Sequence, residues 1–427
     1  MIEDFCRWVG GQSAGNIGWL LLPLLICDAT RYTVGTILIW VCDVLDHVWN
    51  IITGHDESAP FSYQPTCCAV VAGLNEADSL RQTLDSLSGA YPNLQIVVVD
   101  DGSDDGMSDV ASDFARTHDR TTVVRKPERG GKSSALNAAL PFTDAEVLIC
   151  VDSDSHLGEN AIWEVVQPMA DPAVAAVSGT VLVRNPFVNW LTWLQALEYY
   201  RCIFLGRMFT SRLGILGIVS GAFGAYRRTA VLQVGAWDVG PGEDGDLSIR
   251  LRRAGYKVVF APYAQCFTNP VTCPKRLTKQ RRRWEWAVVT LECRKHFEML
   301  KPWTADFNLL NAVMFIDRLL YSIVLQYAFA AYIVWQLLNF HEYTIYHYVF
   351  FYLCYLGLES LQLLLLLYYC DDRKHILKIS VIFPLMPFYY VWMRIVTIWA
   401  ISEEFLIRRS YADNFVPERV RRVTWHW

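Results

Sequence analysis

The stretch Val147-Leu148-Ile149-Cys150-Val151-Asp152-Ser153-Asp154 is a short apolar run that stops on two carboxylates with one serine between them. A continuous apolar run of this length, bounded by polar residues, predicts a strand buried on both faces of a sheet, most often a parallel one. On an extended backbone residues two apart point to the same side, so Asp152 and Asp154 aim at one point beyond the strand's carboxyl end. Open α/β sheets bind ligands at that edge, and a pair of hard oxygen donors suits Mg2+ or Mn2+ carrying phosphate oxygens. The alternative for the same residues is a strand-to-helix turn in which Asp154 or Ser155 caps a helix beginning near Glu159.

Outward from this run the sequence alternates between strand and helix patterns. Strands are expected at Cys67–Ala72, Gln95–Val99, Thr121–Arg125 and Val174–Ser178, with helices at Glu76–Leu87, Met107–Arg116, Lys132–Leu140 and Asn160–Ala170. Such alternation predicts a Rossmann-like, mostly parallel sheet with helices on both faces. Three strand ends carry polar groups that a parallel sheet brings to one edge: Gly73-Leu74-Asn75-Glu76, Asp100-Asp101-Gly102-Ser103 and the aspartates flanking Ser153. One Asp-Gly-Ser segment alone is ordinary turn chemistry. Three polar ends on a common edge predict a crevice. Between them Gly130-Gly131 leads a helix with Lys132 in its first turn, a placement that favours an anion, although the spacing is not that of a P-loop.

Past Ser178 the alternation ends. Pro186 to Leu213 mixes Phe187, Trp190, Trp193, Tyr200 and Phe204 with Arg201, Arg207 and Arg212. That composition suits a helix in a membrane interface or one packed on the sheet. The small residues of Ser220-Gly221-Ala222-Phe223-Gly224 allow a ligand close to the backbone. Gly242-Glu243-Asp244-Gly245-Asp246 opens a helix running to Arg253, where acids also complement the helix dipole. The predicted helix Lys275–His296 carries Gln280-Arg281-Arg282-Arg283-Trp284. Its arginines suit anionic lipid headgroups or diphosphate oxygens, and its indole offers a flat face to a sugar ring.

The chain of 427 residues is 53% hydrophobic and 14% aromatic, which predicts a membrane protein with one large soluble domain. Long apolar stretches occupy Asn16 to Val44, interrupted by Asp28, Arg31 and Asp43, and then Leu309 to Phe340, Tyr346 to Tyr369 and Ile376 to Ile401. Each of the last three is long enough to span a bilayer. The first reads as one kinked span, or an interfacial helix followed by a span; a cleaved signal peptide is not expected, since the residues before it, with Glu3 and Asp4 against Arg7, are not basic on balance and no small-residue cleavage site follows. Glu359 and Arg394 lie within these stretches, so Glu359 is expected to face the protein interior or a water-filled path. The 12 cysteines contain no CxxC pair and suggest neither a disulfide framework nor a zinc site. The net charge of -5 says little by itself, because Arg and Lys are concentrated locally, and no nucleic-acid partner is expected. The expected organisation is a membrane segment over 1–55, a soluble α/β domain over 66–270, an interfacial helix over 271–300, a transmembrane region over 307–402 and a basic tail over 403–427.

Four ordered motifs, Asp100-Asp101-Gly102, Asp152-Ser153-Asp154, Gly242-Glu243-Asp244 and Gln280-Arg281-Arg282-Arg283-Trp284, stand beside these apolar stretches. Together they resemble the processive, membrane-embedded family 2 glycosyltransferases, the group of the cellulose, chitin, hyaluronan and poly-N-acetylglucosamine synthases. The resemblance covers Thr66 to His296 and the flanking spans. It implies a GT-A fold, a nucleotide-diphosphate sugar donor, usually UDP-linked, and inversion by a single displacement. By motif it implies that Asp100 or Asp101 holds uridine with Asn75 and Glu76 nearby. Lys132 would neutralise the diphosphate, and Asp152 and Asp154 would bind Mg2+ or Mn2+ through it. Asp244 would act as general base beside Glu243, while Gln280, Arg283 and Trp284, with Ser220 and Gly221, would hold the leaving diphosphate and the acceptor sugar. Gly242 stands where the family often has threonine. Ser220 to Arg227 is similar to the chitin and hyaluronan branch, and Gly242-Glu243-Asp244 to the cellulose and poly-N-acetylglucosamine branch, so the motifs name no polymer.

The resemblance further implies a plasma- or inner-membrane enzyme with its catalytic domain in the cytoplasm. Its partners would be a UDP-sugar, a growing polysaccharide, membrane lipids and an accessory export or regulatory subunit. Three spans after such a domain would put the C-terminus outside, whereas Arg408, Arg409, Arg419, Arg421 and Arg422 argue for inside. One segment is therefore expected not to cross, with the Pro384 to Pro387 region as the candidate. A non-processive transferase with a lipid-phosphate or lipid-linked acceptor, or an inactive membrane scaffold, are the competing readings.

Overall fold

In the computed structural model, which describes residues 2–24, 32–53, 61–238, 240, 242–304, 307–339, 344–414 and 416–424, the run Val147–Asp152 is an inner strand of an eight-stranded sheet. The strands are β1 (Cys67–Gly73), β2 (Gln95–Asp100), β3 (Thr121–Arg125), β4 (Val147–Asp152), β5 (Ser155–Leu157), β6 (Val174–Val183), β7 (Phe223–Arg227) and β8 (Lys257–Thr268). Their order is β3-β2-β1-β4-β7-β6-β8-β5. β3, β2, β1 and β4 pair in parallel, as do β6 and β8, while β7 runs antiparallel between β4 and β6 and β5 antiparallel to β8. The sheet is thus mostly parallel, as the alternation predicts.

The register brings the polar strand ends together. Gly73 of β1 pairs with Asp100 of β2, and Ala72 pairs with Asp152 of β4, so the three carboxyl ends finish at one edge. Alternate residues of these strands enter opposite cores. Ala69, Val71, Ile149 and Val151 pack with Leu80, Leu84 and Phe114, whereas Cys68, Val70, Leu148 and Cys150 pack with Leu136 and Leu251. Burial on both faces is what makes the runs continuously apolar. The capping alternative is overturned: Ser155 pairs with Thr268 in β5, and the next helix starts at Ala161 after Asn160, so neither Asp154 nor Ser155 caps it.

The aromatic and basic stretch after β6 forms one helical rod, Trp190–Tyr199 continuing through a wider π turn into Gly206–Arg212. Leu191, Leu194, Leu197, Phe204 and Leu205 bury themselves in the core that holds β6, so this rod packs on the sheet. Its outer side receives the apolar helices. Arg201 pairs with Glu359 at 2.6 Å and lies over the Tyr390 ring at 4.7 Å. Glu359 is therefore turned inward, as its cost at membrane depth requires. Arg394 donates to Gln326 at 2.9 Å and covers the Phe329 ring.

Four helices are long and apolar enough to cross a membrane: Tyr32–Thr53, Leu309–Leu338, Ile345–Tyr369 and Phe383–Ile407. Two differ from the stretches read in the sequence. The first ends at Thr53 and not at Val44, separated from the helix Ala14–Leu24 by a segment containing Asp28 that lies outside the described residues. The run Ile376–Ile401 is broken: Arg373–Ser380 is a separate helix, and a new one begins at Met386 after Pro384, because proline lacks the N–H that a continuing helix would use. Both ends of this last helix are tied to the sheet-bearing part of the chain. Tyr389 donates to Glu198 at 2.7 Å near its start, and Glu403 and Glu404 accept from Arg282 and Arg294, each at 2.5 Å, near its end. The chain then returns to the sheet edge, where Arg419 pairs with Glu128 at 2.9 Å.

The helices Glu243–Arg253 and Pro274–Val288 meet at Gly242. Its φ is +74°, and an added Cβ would lie 2.8 Å from the Cβ of Ala287. Both constraints call for glycine where the resembling family often carries threonine, and the close approach sets Glu243 and Asp244 beside the arginine-bearing helix. We expect Gly242→Ala to lose about 1–2 kcal/mol to the left-handed backbone and about 1–3 kcal/mol to overpacking, read as a lowered thermal midpoint of the purified protein in detergent. Adding Ala287→Gly should return the packing share alone. A Gly242→Ala protein as stable as the parent would show that neither constraint operates.

Candidate active site

The loop after β1 interlocks with the loop after β2. Asn75 donates its backbone N–H to Ser103 Oγ at 2.9 Å and accepts from the Asp104 N–H at 3.1 Å, while Glu76 accepts from Ser79 Oγ at 2.9 Å. Asp100 is buried and accepts from the Ser103 N–H at 2.7 Å and from Ser108 Oγ. Burial pushes its pKa up, but the bonds from Ser103 and Ser108 outweigh it and hold the carboxyl below its ordinary value. Asp101, also buried, accepts from the N–H groups of Gly130 at 2.9 Å and Gly131 at 2.6 Å and from the Lys126 ammonium. These two carboxylates are thus engaged by protein donors, and Asp101 fixes the loop that delivers Lys132.

Lys132 gathers the remaining motifs. Its ammonium contacts the Asp152 carboxylate, donates to the Gly221 carbonyl at 3.0 Å and lies 3.8 Å from Glu243 Oε1. Burial lowers its pKa, but the charges of Asp152 and Glu243 override this and raise it. The Gly221 N–H donates to Asp244 Oδ2 at 2.9 Å, and the Gly245 N–H to Oδ1 at 2.8 Å. A Cβ on Gly221 would stand 3.1 Å from both Asp244 Oδ2 and Lys132 Nζ, so any side chain there would press on the base candidate and the ammonium together. Ser220 is held from behind by Ser178. Glu243 is raised by burial and by Asp244, with Lys132 opposing.

At the tip of β4, burial pushes Asp154 up to about 6, helped by the negative charges of Asp152 and Glu76 and opposed by Lys132. Among the described residues no group of three or more His, Cys, Asp or Glu side chains is arranged to hold a metal ion. The residues that offer oxygens here are Asp152 and Asp154. A buried carboxylate pushed toward neutrality by two like charges is an environment that a cation relieves, and Mg2+ takes one or two carboxylates with the rest of its sphere from water and substrate phosphates. The pair fits such an ion.

The arginine-bearing helix divides its labour. Arg281 donates to Glu198 at 2.6 Å and lies over the Trp284 ring at 4.2 Å. Arg282 grips Glu403 and lies over Trp399 at 4.1 Å. These two serve packing against the rod and the last apolar helix. Arg283 is 3.3 Å from Asp413; burial lowers its pKa, while Asp413 and Glu243 oppose the shift. Trp284 remains 44% exposed, so it keeps a surface to offer a ligand. The Gln280 side-chain oxygen is buried without a hydrogen-bond partner among the described residues.

Several residues that shape this site carry no motif in the sequence. Lys126 neutralises Asp101 from 25 residues away. Asp246 joins Arg250 at 2.8 Å, Lys295 at 2.7 Å and His296 at 2.8 Å, which pins the Asp244 helix to the end of the arginine helix. Burial would raise the Asp246 pKa, yet the His296 bond and the two cations hold it well below the usual carboxylate range. Its place two residues beyond Asp244, on the opposite side of the helical turn, was the only available signal.

Residues 65–287 match the family model described as glycosyltransferase like family 2. A poly-beta-1,6-N-acetyl-D-glucosamine synthase of Staphylococcus epidermidis is 30% identical over 218 residues, 50% of this chain and 52% of that one. One from Staphylococcus aureus is 28% identical over 261 residues, 60% of this chain and 63% of that one. The chain thus spans about half to less than two thirds of the length of these relatives. A mannosyltransferase from Pyrobaculum calidifontis, solved with GDP-mannose and Mn2+, superposes over 91% of this chain and 99% of that one with a TM-score of 0.56 at 19% identity, a likeness of fold. With the match to residues 65–287 covering more than half of the 427, the chain belongs to glycosyltransferase family 2 and carries that family's catalytic domain on a GT-A-like sheet.

Proposed function

We propose that the protein is an inverting, processive polysaccharide synthase that transfers glucose or N-acetylglucosamine from a UDP-sugar to a growing β-linked glycan and exports the product across the membrane. The observation that carries this reading is the Lys132 contact set, which puts the Asp152 strand end, the Gly221 backbone and Glu243-Asp244 around one ammonium. The staphylococcal relatives, named for a β-1,6-linked N-acetylglucosamine polymer, favour that sugar.

On this reading the loops of Asn75, Glu76, Asp100 and Asp101 form the uridine seat, and Lys132 exchanges part of its carboxylate contact for the donor diphosphate. A divalent ion held by Asp152 and Asp154 would supply charge neutralisation for the departing diphosphate. Arg283 approaches the same oxygens with a planar donor pair. Trp284 presents its open face to the acceptor sugar, since Arg281 covers part of the ring. Asp244 accepts the proton of the acceptor hydroxyl as its oxygen bonds to the anomeric carbon and the bond to the diphosphate breaks. The N–H groups of Gly221 and Gly245 hold the two Asp244 oxygens in one orientation through that transfer.

We also infer that Tyr32–Thr53, Leu309–Leu338 and Ile345–Tyr369 cross the membrane and that Met386–Ile407 lies along its cytoplasmic face. The ties of that helix to Glu198, Arg282 and Arg294 support this assignment. Two crossings after the domain return residues 408–424 to the domain's side, in agreement with their arginines. A fluorescent protein fused after residue 427 should then be bright and an alkaline phosphatase fused there inactive. The reverse pair of results would put Phe383–Ile407 across the bilayer.

Membranes bearing the protein, offered a panel of radiolabelled UDP-sugars, should form a polymer from one of them that linkage-specific hydrolases degrade, and chelation of divalent ions should stop synthesis. Asp244→Asn should lose about 100-fold or more of turnover, as expected for loss of a general base, with UDP binding retained. Asp154→Ala should weaken divalent-dependent UDP binding as well. Parental turnover in Asp244→Asn would remove the base assignment, and products of a single added sugar would replace the synthase by a non-processive transferase.

A further inference from the structure

Arg207 sits in the last segment of the rod, Gly206–Arg212, between the sheet and the apolar helices. It donates from Nη1 to Ser178 Oγ at 2.7 Å. The same hydroxyl accepts from the Ser220 N–H at 3.2 Å and gives its own proton to the Gly179 carbonyl at 3.1 Å. One residue on, the Gly221 N–H holds Asp244 Oδ2. Three hydrogen bonds and one peptide unit therefore run from Arg207 to the carboxylate read as the base.

The other interior arginines of this region have evident structural partners. Arg201 has Glu359, Arg281 has Glu198, and Arg252 donates to Asn311 and to the carbonyls of Gly214 and Leu216. Arg207 makes no ion pair among the described residues, and Ser178 is its hydrogen-bond partner. Burial lowers its pKa, and the group that opposes this most is Asp244. A desolvated cation without a paired carboxylate is costly, so it is a poor choice for packing alone. Arg207 also lines a cavity of about 150 Å3, bordered by Thr210, Gly217, Asp317 and Arg318.

We infer that Arg207 is a positioning residue for the transfer step: through Ser178 it fixes the Ser220–Gly221 peptide, and through that peptide the orientation of the Asp244 carboxylate. Ser178 is the joint of the device. Its hydroxyl is committed as donor to Gly179, so both lone-pair directions are available to Arg207 and Ser220. Loss of either arm frees the Ser220–Gly221 segment to turn, and a misplacement of about 1 Å at a reacting group costs up to about 100-fold in rate.

The inference rests on Asp244 being the base, and the test separates the two. Full-length Arg207→Ala, Ser178→Ala and Asp244→Asn would be assayed in membranes with the UDP-sugar selected above, alongside UDP binding and thermal stability in detergent. Arg207→Ala and Ser178→Ala are expected to lower kcat 10- to 100-fold with donor KM and UDP binding unchanged. A cavity of 150 Å3 admits a six-membered ring, so millimolar guanidinium should enter the space left in Arg207→Ala and restore part of kcat, whereas equal urea should not. Ser178→Ala should show no rescue. Parental kcat in Ser178→Ala while Asp244→Asn is inactive would overturn the inference and leave the base assignment standing. An active Asp244→Asn would overturn both. Should Arg207→Ala fail to fold, Ser178→Ala, which deletes one hydroxyl, decides.

Discussion

One ammonium ion organises this site. Lys132 stands where the β4 end, the loop before β7 and the helix after Gly242 converge, and it touches Asp152, the Gly221 carbonyl and the neighbourhood of Glu243. Without it three carboxylates, Asp152, Glu243 and Asp244, would face one another across a partly dry space with their repulsion unopposed. The cation offsets that repulsion in the absence of ligand. It would also set a condition on the proposed donor: a diphosphate drawn to Lys132 would have to compete with carboxylates already there, where a divalent ion shared by Asp152 and Asp154 would restore the balance of charge.

Lys132 is in turn placed by Asp101. Bonds from Gly130 and Gly131 and the contact with Lys126 fix the loop that begins the Lys132 helix. The carboxylates of the first motif are thus committed to protein donors, and in the proposed uridine seat they would contribute through the shape they impose. A loop already fixed in this way loses less conformational freedom on binding than one that must order on contact.

Much of the fold was legible because the strands obey simple rules. Two-sided burial gave continuous apolar runs at Cys67, Gln95 and Val147, and the polar residues that end each run marked the working edge of the sheet. The reversed strands were not legible. Ser155–Leu157 is too short to show a period, and Phe223–Arg227 alternates small residues whose pairing is fixed by β4 and β6 on either side. In the site, residue types at motif spacing pointed to Asp152, Lys132 and Asp244, which the fold brings together. The division of Arg281, Arg282 and Arg283 between packing and ligand could not be read, because it depends on Glu198, Glu403 and Asp413, which are remote in sequence.

The first two of these pairs bear on how a transferase can work against a membrane. Arg281 reaches the rod and Arg282 the last apolar helix, so the helix that presents Trp284 is clamped from both sides by ion pairs that are largely withdrawn from water. Such pairs contribute little net stability compared with apolar packing, but breaking one leaves a stranded charge at a cost of about 3–5 kcal/mol. Their effect is to make one arrangement much better than its near neighbours. A register slip of one turn between these helices would strand Arg281, Arg282, Glu198 and Glu403 together, so the position of Trp284 relative to Asp244 is defined by charge, on a surface where apolar side chains facing lipid would tolerate sliding.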